Sequence, residues 1–84
     1  MQQYIILCRS LTYAQRAVSV LERSGITTSL SRAPQMLTDR GCGYCVKVAE
    51  GRFRTAVRIL DHAGLPHGRM YHQSGTDTYT EVFA

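Results

Sequence analysis

Three cysteines, Cys8, Cys42 and Cys45, are the side chains of this sequence best suited to covalent chemistry. Cys42 lies between Gly41 and Gly43, so the backbone there can turn tightly and leave the sulfur open to a partner. The thiolate is the nucleophilic form, and an ordinary thiol with a pKa of about 8.5 is only a few per cent ionised at neutral pH. We predict that Cys42 is the reactive thiol and that Cys45 is a helper or resolving thiol.

Core packing is the competing interpretation for each thiol, because free cysteine is among the most buried residue types. Cys8 ends an apolar, β-favouring run, which favours packing. Cys42 is set between glycines, which disfavours it. For Cys45 the two interpretations are evenly balanced.

The spacing of Cys42 and Cys45 also occurs in dithiol and zinc sites. In a thioredoxin-type dithiol the first cysteine opens a helix, whereas this motif leads into a predicted strand. Structural zinc usually takes four ligands from two paired motifs. This sequence has one pair, which Cys8 and His67 would have to complete. We predict no metal and no cofactor, and we keep dithiol redox or metal handling by Cys42 and Cys45 as an alternative.

The elements that must position these thiols follow the order βαββαβ, which is typical of the α+β ferredoxin-like fold. Ser10 is suited to cap a first helix and Gly25 to end it. The other predicted elements are strands near 3–9, 26–31, 44–49 and 69–73 and a second helix near 52–63. We expect one domain over residues 1–84, with a core at about 3–73 and a C-terminal segment at 74–84. Its four-stranded antiparallel sheet should carry both helices on one face, and residues 78–83 form a possible extra strand.

In the ferredoxin-like strand order 4-1-3-2, the end of strand one lies beside the start of strand three. All three cysteines therefore converge on one end of the predicted sheet. Positive charge and a helix N-terminus favour a thiolate there. A turn histidine at the same end could assist proton transfer. The residues that we expect to support the reactive thiol are Cys8, Arg9, Ser10, Arg40, Gly41 and His67.

Length and composition exclude several classes of protein. With 84 residues, 44% hydrophobic and 19% charged, the chain is too apolar for a disordered tail. Its longest apolar run, Tyr4 to Cys8, is five residues, whereas a membrane-spanning helix needs about 20. An odd cysteine count and the lack of a signal-like start argue against a secreted disulfide scaffold. We therefore expect a cytoplasmic protein with reduced thiols.

Three segments resemble the selenium/sulfur carrier-like family of small bacterial domains, first filed as domains of unknown function. They are YIILCRSLTYA from Tyr4, LERSGI from Leu21 and RGCGYCV from Arg40. The resemblance covers roughly residues 3 to 72, and its most specific part is the Cys42–Gly43 pair. Cys45 and Cys8 depart from the family's pattern, in which other residue types are usual at these positions.

The resemblance implies a carrier that holds sulfur or selenium as a persulfide or selenosulfide on Cys42, for transfer between donor and acceptor proteins. Such a protein is an accessory protein rather than a turnover enzyme. A carrier needs one accessible sulfur on a rigid edge, and the sequence shows neither a phosphate loop nor paired carboxylates in one motif.

A binding module without chemistry, dimeric or weakly RNA-binding, is the remaining alternative. The net charge is +4, and Tyr4 and Tyr44 lie on the two strands that stack bases in RNA-recognition sheets. However, most arginines fall on the helices, away from the open face of the sheet. We therefore expect weak, salt-sensitive nucleic-acid binding at most.

Overall fold

The structure, a computed structural model, describes residues 2–38 and 43–83. In chain order its elements are β1 (Gln3–Cys8), α1 (Leu11–Arg23), β2 (Thr28–Arg32), β3 (Tyr44–Ala49), α2 (Phe53–His62), β4 (Met70–Gln73) and β5 (Tyr79–Val82). Short 3₁₀ turns cover Gln35–Leu37 and Glu50–Arg52. The predicted helices and strands are therefore present, with small differences at their ends.

All five strands join one antiparallel sheet, in the order β2-β3-β1-β4-β5. The sheet thus has five strands, whereas the sequence predicts four with a possible fifth. The additional strand forms because the backbone N–H of Ser74 donates to the carbonyl of Thr78 at 3.0 Å, which closes a turn. β5 then runs back along β4, with Met70 opposite Val82. The order of the first four strands is the predicted one.

Local signals in the sequence set the bounds of α1. The Ser10 hydroxyl accepts a hydrogen bond from the Tyr13 N–H at 3.3 Å, as an N-cap should. At the other end Gly25 has a φ of 85°, the left-handed conformation that glycine adopts without strain. The Ile26 N–H donates back to the Leu21 carbonyl at 2.9 Å, which turns the chain toward β2.

Both helices pack on one face of the sheet. In a strand, alternate side chains point to opposite faces. The core cluster contains Ile6 and Cys8 of β1 together with Val46 and Val48 of β3, and all four belong to the same face. The buried helix residues in that cluster are Ala14, Ala17 and Leu21 of α1 and Phe53, Ala56, Val57 and Leu60 of α2. Side chains that point the other way, such as Cys45 and Lys47, lie on the face away from the helices.

An aromatic contact joins the start of α2 to the sheet. The rings of Tyr4 and Phe53 stack with their centroids 3.9 Å apart and their planes within 9° of parallel. His72 packs on Tyr4 from β4, and its Nε2 lies 2.9 Å from the Glu50 carboxylate. The stack therefore anchors the start of α2 to β1, and His72 adds a contact from β4.

Replacing Phe53 by alanine should destabilise the protein by about 3 kcal/mol, because the substitution removes a buried ring and its stacking contact with Tyr4. The neighbouring Arg54→Ala, on the exposed side of the same helix, should change stability by less than about 0.5 kcal/mol. Urea unfolding followed by circular dichroism measures both. A loss below about 1 kcal/mol for Phe53→Ala would show that the ring does not anchor the helix.

Candidate functional site

The thiol end of the sheet, where the sequence predicts that the cysteines converge, is formed by the last residues of β1 and β2 and the first residues of β3. Cys8 pairs with Tyr44, and Leu7 pairs with Cys45. Cys8 and Cys45 therefore lie on adjacent strands, as predicted. They are one step apart in register, however, so their side chains point to opposite faces of the sheet. Cys42, Arg40 and Gly41 lie outside the described residues, and their predicted roles stay predictions.

Cys8 points toward the helices and belongs to the core. Its side chain is 8% exposed and packs in the main hydrophobic cluster. Its sulfur lies 3.8 Å from the Ile6 carbonyl, the hydrogen-bond acceptor within reach of the thiol. Burial, with a smaller contribution from Cys45, raises the pKa of the Cys8 thiol to about 11. Cys8 is therefore protonated at neutral pH and is a poor nucleophile.

Cys45 is fully buried on the other face of the sheet. Its sulfur lies 3.4 Å from the Ser31 hydroxyl and 3.8 Å from the Arg32 carbonyl, both on β2. Burial raises the pKa of the Cys45 thiol, and the Ser31 hydrogen bond and the charge of Lys47 offset part of that shift. Cys45 is thus a satisfied packing residue in this structure. Its predicted role as a helper stays a prediction, because its partner Cys42 lies outside the described part of the chain.

The contact of Ser31 with Cys45 was not predicted from the sequence. Residues 26–31 alternate between apolar and polar side chains, which places Ser31 on the polar face of its strand. Cys45 lies on the corresponding face of β3. The pairing of Ser31 with Cys45 depends on the register of the two strands, which the alternation alone does not determine.

Gly43 fixes the entry of the chain into β3. Its φ is 153°, a conformation that residues with a side chain rarely adopt. Its carbonyl accepts a hydrogen bond from the Ala33 N–H at 3.0 Å, which extends the contact between β2 and β3 beyond Arg32. Gly43 directly follows Cys42 in the chain. It is therefore the described residue nearest in sequence to the predicted reactive thiol.

Ser10 and Arg9 both belong to the N-terminal end of α1. Ser10 caps the helix through the Tyr13 N–H. The Arg9 guanidinium lies 5.9 Å from the centroid of the Tyr13 ring, within the range of a cation–π contact. The positive charge expected at this end of the sheet is therefore present, and it is positioned by an aromatic ring.

His67 lies at the same end of the sheet but on the β4 side of β1, whereas the cysteine motif enters β3 on the other side. The N–H of its neighbour Gly68 donates to the Leu7 carbonyl at 2.7 Å. Its Nε2 lies 3.6 Å from the Asp61 carboxylate, and its Nδ1 lies 3.1 Å from the Gly68 carbonyl. Both ring nitrogens of His67 thus have partners near the end of α2 and the start of β4, and not in the cysteine motif. A proton-transfer role for His67 stays a prediction.

The aromatic residues proposed for base stacking do not lie on the open face. Tyr4 stacks on Phe53, and Tyr44 packs against the core on the helix side. The strand register places Tyr71 and Tyr79 on the open face; Tyr71 is 8% exposed and Tyr79 is half-buried at the edge of the sheet. The sheet therefore lacks the exposed tyrosine pair that an RNA-recognition surface would require at these two positions.

Within residues 2–38 and 43–83, no three His, Cys, Asp or Glu side chains lie close enough together to hold a metal ion. No helix in that part of the chain is both long and apolar enough to cross a membrane.

Residues 3–72 match the model of the family described as "Putative Se/S carrier protein-like". No curated protein and no solved structure matches the chain significantly. The matched range includes both strands that flank the thiol end of the sheet.

Gly43→Ala should destabilise the protein by about 1–2 kcal/mol, because alanine is strained at this φ. Gly51→Ala is the matched control, since a side chain there meets no atom within 4 Å and the backbone is not in the glycine-favouring region. The control should be neutral or slightly stabilising. Thermal unfolding compares the two variants, and an equal effect at both positions would show that Gly43 is not conformationally required.

The buried thiol of Cys8 should make stability depend on pH in the alkaline range. Because folding raises its pKa from 9.0 to about 11, the stabilisation is complete below pH 9 and is lost as the pH rises toward 11. Between about pH 7.5 and pH 10 the wild type should lose about 1 kcal/mol more than Cys8→Ala, in which this titration is absent. Urea unfolding under reducing conditions measures the difference, and parallel pH profiles for the two proteins would contradict the assignment.

Proposed function

The chain belongs to the Se/S carrier-like family, and from that premise we propose that it carries a sulfur or selenium atom on Cys42 as a persulfide or selenosulfide. The protein acts between partners: a donor loads the atom and an acceptor removes it. It is an accessory protein of the cytoplasm rather than a turnover enzyme. Its sheet and helices form a ferredoxin-like sandwich to which β5 is added at one edge.

The transfer needs one nucleophilic sulfur and no external oxidant or reductant. The Cys42 thiolate attacks the outer sulfur of a donor persulfide. A new S–S bond forms on Cys42 while the S–S bond of the donor breaks, and the electron pair leaves on the donor's thiolate. An acceptor thiolate then attacks the outer sulfur on Cys42, and Cys42 leaves as a thiolate. With selenium as cargo, an S–Se bond takes the place of the new S–S bond.

The main support for the proposal is the burial of the other two thiols, Cys8 and Cys45. Cys8 and Cys45 are buried on opposite faces of the sheet, and burial raises the pKa of each. Neither is suited to attack a donor at neutral pH. Cys42 is the remaining cysteine of the chain, and it belongs to the most specific part of the family resemblance. A carrier with a single working thiol is therefore the function that the described geometry supports best.

The surroundings of the thiol end also support a carrier. Gly43, at a positive φ open to glycine, leads from Cys42 into β3, and Arg9 and the N-terminus of α1 supply positive charge at the same end of the sheet. Positive charge stabilises a thiolate. None of these groups forms a catalytic dyad, which a carrier does not need.

The test is to incubate the reduced protein with a cysteine desulfurase and free cysteine and to measure its intact mass. We expect a gain of one sulfur atom that dithiothreitol removes. Cys42→Ala should abolish the adduct, whereas Cys8→Ala and Cys45→Ala, the matched controls, should retain it. An adduct that persists in Cys42→Ala, or that disappears equally in Cys45→Ala, would contradict the assignment of Cys42 as the carrier residue.

A further inference from the structure

A groove of about 700 Å³ lies between α2 and the end of β5, on the helix side of the sheet. Its apolar surface is formed by Tyr4, Phe53 and Val57, together with Val82 and Phe83 of the C-terminal segment. Phe83 is 85% exposed, the highest value among the large hydrophobic residues of the described chain. A large aromatic side chain left in water beside an apolar groove indicates a surface that is covered in a complex.

The groove is also positively charged. Arg54 and Arg58 line it from the exposed side of α2, and their spacing of four residues places them on the same face of the helix. Within residues 2–38 and 43–83, neither guanidinium has an ion-pair or hydrogen-bond partner. The acidic residue of the groove, Asp61, lies 3.6 Å from His67 and forms no ion pair with either arginine in this structure.

The groove runs toward the thiol end of the sheet. Its far end is marked by Asp61, which contacts His67. The neighbouring Gly68 is hydrogen-bonded to Leu7, the residue before Cys8. An occupant of the groove would therefore lie along α2 and reach the end of the sheet that leads into the cysteine motif.

We propose that this groove docks a segment of a partner protein in which carboxylate side chains flank a large apolar side chain. Exposed arginines and aromatic residues are the types that contribute most to binding at interfaces. The unpaired charges of Arg54 and Arg58 are complementary to carboxylates, and the apolar surface fits the large side chain between them. A second copy of this chain is a poorer occupant, because the net charge of +4 opposes self-association.

The inference extends the proposed function by naming the surface that holds a donor or acceptor protein. Docking does not involve a thiol, so it can be measured without sulfur transfer. A negative docking test would not contradict the assignment of Cys42. A negative sulfur-loading test would not contradict the groove as a docking site.

The probe is an acetylated hexapeptide, Glu-Glu-Leu-Phe-Glu-Glu, titrated into the reduced, ¹⁵N-labelled full chain. We expect saturable shifts at the amides of residues 53–62 and 82–83. A peptide with glutamine in place of glutamate should bind about tenfold more weakly or worse. Shifts that map to another surface, or no saturation below about 1 mM, would overturn the proposal.

A pair of charge variants provides the control. Arg54→Glu/Arg58→Glu should weaken binding at least about tenfold, whereas Arg16→Glu/Arg23→Glu, on the exposed side of α1, should change it by less than about threefold. Both variants replace two arginines by two glutamates, so their net charges are equal. If the first variant fails to fold, Arg54→Gln/Arg58→Gln replaces it. Equal weakening by the α1 and α2 variants would show that only net charge matters and would overturn the groove as the docking site.

Discussion

The register between β1 and β3 is the constraint on which the arrangement of the thiols depends. Ile6 lies opposite Val46, and both side chains are completely buried under the helices. A shift of one residue would move every side chain of a strand to the other face, so this pair holds the register in place. The same register directs Cys8 toward the helices and Cys45 away from them. The two thiols therefore lie on opposite sides of a layer of backbone, and each is desolvated there.

The consequence for function is a division of roles among the cysteines. A thiol that is buried and kept protonated contributes to stability and is protected from oxidation and exchange. Cys8 and Cys45 have this character. The proposed sulfur or selenium chemistry is therefore assigned to Cys42, the third cysteine of a chain that belongs to the Se/S carrier-like family. Cysteines at positions 8 and 45 are compatible with the proposed carrier, because neither buried thiol adds a competing nucleophile.

Much of the fold could be predicted from the sequence, because its signals are local. Ser10 and Gly25 mark the ends of α1, and the helical spacing of apolar residues marks the buried side of each helix. The faces of β1 could not be assigned in the same way. Its apolar run from Tyr4 to Cys8 has no polar residue between its apolar ones, so alternation is invisible until the pairing with β3 is known. The RNA-binding alternative needs Tyr4 on the open face, whereas the pairing with β3 turns it to the helix side, where it stacks on Phe53.

The groove along α2 could not be predicted either. It exists because β5 extends the sheet beyond β4, and that extension depends on the turn between Ser74 and Thr78 and on a pairing of distant residues. In the sequence, Arg54 and Arg58 are ordinary exposed positions of an amphipathic helix. Only their position across from Val82 and Phe83 gives them a shared surface with an exposed aromatic ring.

The most direct test of the central claim is to locate the loaded atom in the wild-type protein. After loading with sulfane sulfur at neutral pH, the native protein is alkylated and digested, and the peptides that contain each cysteine are analysed by mass spectrometry. We expect the persulfide on Cys42, with Cys8 and Cys45 unmodified until the protein is unfolded. A persulfide found first on Cys45 or Cys8 in the folded protein would contradict the account.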